Sequence, residues 1–167
     1  EVEAETLARL RHPSIARSHG SFEHRGMRAI AMDFIDGVSL RREMAQRSKL
    51  GEYFTWTEIS DLLSDILGAL AVAHHAGVVH RDLKPANIMV RARPTLGQSR
   101  TVLLDFGVAK LTGLDRADET TMGRPIGTAH YMAPEQHESV GVGPPADLFA
   151  VGVLTFELAT LRRPWVV

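Results

Sequence analysis

Apolar residues recur along the chain with two different periods, and the switches between them outline a series of elements. Ala4, Leu7, Ala8 and Leu10 fall at helical spacing, which predicts a helix over Glu1 to Arg11 ended by His12-Pro13. Ile15 to Phe34 reads as two strands, the second Met27 to Phe34, joined around His24-Arg25-Gly26. Gly37 then punctuates, and a short helical piece follows from about Ser39 to Met44. The clearest helix comes next. Thr55 and Glu58 form a capping box, in which each side chain satisfies a free backbone N–H at the helix start. Ile59, Leu62, Leu63, Ile66 and Leu70 mark its buried stripe, Asp61, Ser64 and Asp65 its wet side, and Gly77 its end. Ile88-Met89-Val90 and Val102-Leu103-Leu104 read as two short buried strands flanking a basic loop with Gly and Pro. From Lys110 to Ile126 the chain is polar and aperiodic, a loop by composition, and a last apolar helix is expected from about Asp147 to Leu161. No internal repeat or low-complexity stretch interrupts this order.

Composition narrows the field. The chain has 167 residues, 44% apolar and 23% charged, which suits one compact domain or a piece of one. Its 19 Lys and Arg against 20 acids give a formal charge of -1, without the basic surplus of a nucleic-acid binder. Cysteine is absent, which removes disulfides, zinc-binding thiolates and thiol nucleophiles, and is compatible with a reducing compartment. No apolar run is long enough to cross a bilayer; the best, Leu148 to Leu154, is short and followed by Glu157. No signal peptide is visible, and a start on Glu1 suggests a fragment. A cytoplasmic location is expected, or the cytoplasmic part of a membrane-anchored parent.

The chemistry is concentrated between His80 and Asn87, in the stretch HRDLKPAN. Eight residues place an acid (Asp82), a cation two positions on (Lys84), a rigid turn (Pro85) and an amide ligand (Asn87). Transfer of a phosphoryl group from a metal-bound nucleotide to a hydroxyl asks a protein mainly to hold such charges in place. Asp82 is the candidate base, Lys84 a contact for the γ-phosphate, and Asn87 a neutral oxygen for Mg²⁺. Asp105, brought alongside by the strand pair, would supply the carboxylate that a hard cation prefers. An isolated Asp or Asn is ordinarily a turn cap, so it is the combination that carries the reading.

Asp105-Phe106-Gly107 and Ala133-Pro134-Glu135 follow in the order and at the spacing of protein kinases, and with HRDLKPAN they make the chain resemble the serine/threonine protein kinase family. GTAHYMAPEQ, from Gly127 to Gln136, is most similar to eukaryotic-type kinases of bacteria. The resemblance implies a two-lobed α+β fold, with residues 1–34 a partial N-lobe and 35–167 a partial C-lobe. It implies ATP and Mg²⁺ as cofactors and Ser/Thr hydroxyls of protein substrates as acceptors. Glu3 takes the position of the glutamate on the kinase helix C, whose lysine partner would precede Glu1. Met32 falls at the gatekeeper position, the Asp33 carbonyl and Ile35 N–H would bond the adenine edge, and Asp36 would lie near the ribose. Met89 joins the nucleotide-binding positions. His80 and Phe106 match an apolar stack linking the lobes, with Leu7 above; its fourth position falls on Ser18, where kinases usually have an aliphatic residue. Asp147 resembles the buried aspartate that accepts hydrogen bonds from the His80–Arg81 backbone.

Lys84 in this loop, and Gly127-Thr128 before Tyr131, match the Ser/Thr rather than the Tyr form. Thr128 would bond Asp82 and Lys84. Arg81 matches an arginine that receives a phosphate on the activation loop, with Lys110 as a second cation and Thr120 or Thr121 as the modified hydroxyl. The glycine-rich loop and strand lysine are expected before Glu1, and helices G to I after Trp165, so the piece alone is expected to be poorly stable and nearly inactive, with Glu135 lacking its usual arginine. His74, His75 and His80 do not read as a zinc site, because acidic and thiol ligands are missing beside them. Two rival readings share parts of this pattern. Aminoglycoside phosphotransferases usually have glycine in place of Arg81 and no Ala-Pro-Glu segment. A pseudokinase scaffold typically loses the base or a metal ligand, whereas Asp82, Asn87 and Asp105 are all present; this reading stays as the alternative, which the strand lysine expected before Glu1 would decide.

Overall fold

A computed structural model describes residues 10–24, 27–106, 129–138 and 141–165. The expected first helix therefore lies outside the described residues, apart from its last two positions, which are not helical. Strands β1 (Ser18–His24) and β2 (Met27–Met32) pair antiparallel, with a register irregularity between Ser18 and Gly20. A second sheet has the order β3-β4-β5, from Gly37–Ser39, Ile88–Arg91 and Thr101–Leu103, all antiparallel. Residues 14–16 extend its edge: the Leu103 N–H donates to the Ser14 carbonyl and the Ala16 N–H to the Leu103 carbonyl.

Strand β3 was not expected, because three residues are too few to show a period. Gly37 is what permits it. A Cβ at this position would stand 2.1 Å from the Val90 carbonyl oxygen, so only glycine lets β3 approach β4 this closely.

Helix α1 (Leu40–Leu50) runs well past the expected end at Met44. Its second half shows no apolar stripe and is held by polar contacts: Arg47 bonds Glu43 one turn back and Glu58 across the next loop, while Gly51 closes the helix in a left-handed conformation. Helix α2 (Trp56–His75) opens with the capping box, both reciprocal bonds present. Asp65 departs from its expected wet side. It accepts the Thr101 N–H at 2.8 Å and so fixes the start of β5.

A short helix α3 (Pro134–Glu138) precedes α4 (Pro144–Thr160). Helix α4 begins before Asp147 because Pro144 and Pro145 occupy first-turn positions whose missing N–H groups cost nothing. The core lies where α2, α4 and the β4–β5 pair meet, and Ile66, Leu70, Ile88, Leu103, Leu154 and Leu158 are fully buried there. Among the described residues, no helix is long and apolar enough to cross a membrane.

Candidate active site

The loop joining α2 to β4 carries the chemistry, and its underside is buried. Val78, Leu83 and Pro85 anchor it in the core together with the buried His80 and Asn87, which leaves Arg81, Asp82 and Lys84 half-buried. Asp147, in the first turn of α4 and almost fully buried, accepts the His80 N–H at 2.9 Å and the Arg81 N–H at 2.8 Å. Arg81 adopts φ 66°, a left-handed backbone unusual for a non-glycine residue.

On the outer side three of the expected residues come together around one carboxylate. Asp82 Oδ2 accepts Lys84 Nζ at 2.6 Å and Asn87 Nδ2 at 3.0 Å. Asn87 Nδ2 also donates to the Asp82 carbonyl at 2.9 Å, while its own N–H closes a 3-10 turn, Pro85–Asn87, onto the Lys84 carbonyl. With the amide nitrogen committed to Asp82, the Asn87 oxygen is the atom left to offer a cation.

Asp105 follows β5, whose pairing with β4 brings it to the same region. Its φ of 58° is also left-handed, which Asp tolerates better than most residues. Partial burial pushes its carboxyl above the ordinary range, Asp82 adds to the rise and Lys84 opposes it. Asp105 thus lies within electrostatic reach of both, with no direct hydrogen bond to either among the described contacts. A carboxylate disfavoured by burial and by a neighbouring anion gains from a cation. Among the described residues no three His, Asp or Glu side chains gather as a metal cluster. One carboxylate, from Asp105, and one amide oxygen, from Asn87, are donors of the kind that Mg²⁺ accepts, and nucleotide phosphates and water would complete the set.

His80 and Phe106 join the two halves of the site. Their rings lie 4.6 Å apart. His80 Nε2 pairs with the Leu104 carbonyl at 2.9 Å, and Nδ1 accepts the Asp82 N–H at 3.3 Å. Burial, outweighing the nearby carboxylates, lowers the His80 pKa, so the ring is neutral with its proton on Nε2. The Leu104 N–H, donated to the Asn87 carbonyl at 2.9 Å, completes the tie.

The expected adenine-edge residues form the connector between the two sheets. Met32 ends β2, and the Asp33 N–H closes the pair onto the Arg17 carbonyl. Asp33 pairs with His19 at 2.7 Å on the surface, Ile35 is buried, and the Asp36 carbonyl accepts the Ala92 N–H. No described backbone bond uses the Asp33 carbonyl or the Ile35 N–H. Met89 pairs with Ser39 and Val102 and is half-buried, on the strand face opposite Ile88 and Val90. Ser18 opens β1 opposite Met32. Glu135 is half-buried in the first turn of α3. Glu3, Leu7, Gly107, Lys110, Thr120, Thr121 and Thr128 lie outside the described residues.

Several further side chains support the site through long-range contacts. His74 Nε2 bonds Asp147 Oδ2 at 2.7 Å, giving the carboxylate its third donor. Gln136 Nε2 donates to the Arg81 carbonyl at 2.7 Å. Tyr131 donates its hydroxyl to Glu157 of α4, and burial with this partner raises the Tyr131 pKa. Arg163 stands 3.8 Å from Glu157, and one of its terminal nitrogens is 3.1 and 3.3 Å from the two ring nitrogens of His130, hence over the ring rather than on one lone pair. Apart from Arg163 and Glu157, these partners lie 26 to 73 residues apart in the chain, and no local spacing signals them.

Comparison with known proteins follows the same lines. The family described as protein kinase domain matches residues 1–166. The chain is 37% identical to the serine/threonine-protein kinase PkaA of Streptomyces coelicolor over 166 residues, covering 98% of this chain and 28% of that protein. It is 39% identical over 168 residues to the serine/threonine-protein kinase pkn3 of Myxococcus xanthus, covering 98% of this chain and 29% of the relative. Among solved structures it is similar to the Mycobacterium tuberculosis PknI kinase domain, with a TM-score of 0.75, 31% identity, and coverage of 96% of this chain and 56% of that one. The chain thus spans under a third of these two curated relatives and a little over half of the solved domain.

Proposed function

The chain belongs to the protein kinase family and has its two-lobed α+β fold, and on that premise we propose that the protein transfers the γ-phosphoryl group of ATP to Ser or Thr hydroxyls of protein substrates. The observation that carries this reading is the shared carboxylate of Asp82, bonded to Lys84 at 2.6 Å and to Asn87 at 3.0 Å, with Asp105 in electrostatic reach. Asp82 orients the acceptor hydroxyl and takes its proton, while the Asn87 amide holds the carboxylate in place. Lys84 balances the charge of Asp82 and is close enough to it to contact a phosphate at the same point. Asp105 and the Asn87 oxygen hold Mg²⁺, which when bound with ATP neutralises charge on the transferred group. The connector 33–36 receives the adenine edge, and Met32 and Met89 border it. Its position supports a division into residues 1–34 and 35–167. Dependence on ATP favours a cytoplasmic site of action.

The test is phosphorylation of a generic protein acceptor by the full-length protein with labelled ATP, followed by phosphoamino-acid analysis. Label should appear on Ser or Thr and require Mg²⁺. Asp82→Asn should lower kcat by about 10²- to 10⁴-fold, the usual contribution of a positioned base, while nucleotide binding persists. Transfer unaffected by Asp82→Asn, or nucleotide binding with no transfer by the unmodified protein, would refute the proposal.

A further inference from the structure

We propose that Gln136 is a positioning residue for the catalytic loop. This rests on the reading of Asp82 as the base. The Gln136 side chain is buried and bridges two backbone segments. Its Oε1 accepts the Ala133 N–H at 3.1 Å, and its Nε2 donates to the Arg81 carbonyl at 2.7 Å. One end of the amide is thereby tied to its own segment, and the other reaches the residue directly before Asp82.

The receiving residue makes this more than packing. Arg81 has φ 66°, and such a conformation persists only where its surroundings over-determine it. Asp147 holds the Arg81 N–H and Gln136 holds the Arg81 carbonyl, so the peptide groups on both sides of its Cα are fixed. The carbonyl that Gln136 holds belongs to the peptide leading into Asp82, so releasing it leaves that peptide held only by the longer bond from the Asp82 N–H to His80 Nδ1, at 3.3 Å, and loosens the rotation that aims the Asp82 carboxylate. Because Gln136 belongs to α3 and Ala133 precedes it, the same amide couples the placement of residues 133–136 to that aim.

Two substitutions in the full-length protein separate this role from a general loss of folding. Gln136→Met keeps the length and removes both hydrogen bonds. It should lower kcat at least tenfold per folded molecule, counted by nucleotide binding, with KM for ATP within twofold of the unmodified enzyme. Gln136→Glu places a carboxylate against the Arg81 carbonyl at neutral pH, whereas the protonated acid again donates to it. Its kcat relative to the unmodified enzyme should therefore rise severalfold as pH falls from 7.5 to 5.5. An unchanged kcat in Gln136→Met, or a flat ratio for Gln136→Glu, overturns the proposal. If Gln136→Met does not fold, the pH ratio of Gln136→Glu decides alone. A failure of the kinase reading itself is distinguishable, because the unmodified protein would then show no transfer sensitive to Asp82→Asn.

Discussion

Replacing Asp147 by asparagine changes neither the size nor the shape of the side chain, so its effect reads the hydrogen bonds directly. The carboxylate is about 1% exposed and receives three donors, from His80 at 2.9 Å, Arg81 at 2.8 Å and the His74 ring at 2.7 Å. Asparagine keeps one acceptor oxygen and turns an NH₂ group towards a donor. At least one backbone N–H is then left unsatisfied in a buried place, at a cost of about 1–3 kcal/mol. Asp147→Ala removes both oxygens. Two backbone N–H groups lose their partner, for about 2–6 kcal/mol together, and the His74 ring, which is partly exposed, recovers some of its loss from water.

Urea unfolding of the full-length protein measures this. The asparagine variant should lie about 1–3 kcal/mol below the unmodified protein and the alanine variant lower still, with unchanged m-values. The asparagine variant should also lose activity beyond its loss of folded fraction, because the Arg81 N–H is one of the groups holding φ 66°. Should Asp147→Asn fall within 0.5 kcal/mol of the parent, the loop does not depend on this carboxylate and the reasoning fails.

Two further outcomes follow from the geometry. His80 has its pKa lowered from 6.5 by burial, so the unfolded chain binds a proton there that the folded chain refuses; its contribution is complete above pH 6.5 and is lost on acidification by up to about 1.4 kcal/mol per pH unit, until the lowered folded value is reached. Unfolding midpoints compared from pH 7.5 to 5.5 should show this slope and His80→Phe should flatten it; an equal slope in both proteins would assign the loss elsewhere. Gly37→Ala sets a Cβ 2.1 Å from the Val90 carbonyl oxygen, so β3 and β4 must separate, with a loss of about 1–3 kcal/mol measurable as a lowered unfolding midpoint; an unchanged midpoint would mean the strands tolerate the separation.

The contact between Asp82, Lys84 and Asn87 was legible because its geometry is local. A base, a cation and an amide within eight residues, with a proline between, can hardly avoid one another once the loop closes, and Asp82, Lys84 and Asn87 do share bonds. The capping box at Thr55 and the strand pair delivering Asp105 are likewise written in spacing. The supports were less visible. Asp147 was reached only through resemblance, and nothing near Gln136 or His74 in the sequence marks a partner 55 or 73 residues away. The second half of α1 was missed for another reason: it is stabilised by Arg47 with Glu43 and Glu58, which leaves no apolar period to read.

Both left-handed non-glycine residues at the site stand where an acid must be aimed: Arg81 directly before Asp82, and Asp105 itself. A left-handed residue costs about 1–2 kcal/mol, less for Asp, so neither would persist in a free loop. Arg81 is held by Asp147 and Gln136, and the segments on either side of the site are tied through their neighbours. His80 reaches the Leu104 carbonyl and stacks on Phe106, while the Asn87 carbonyl takes the Leu104 N–H. The segment carrying Asp82 and the segment carrying Asp105 therefore restrain one another, with the neutral His80 ring at the centre. That mutual restraint explains why Asp105 can lie near Asp82 with its carboxyl pushed up instead of swinging away. Burial first and the neighbouring Asp82 after it hold the Asp105 carboxyl above its ordinary range, and a cation beside Asp105 would offset both.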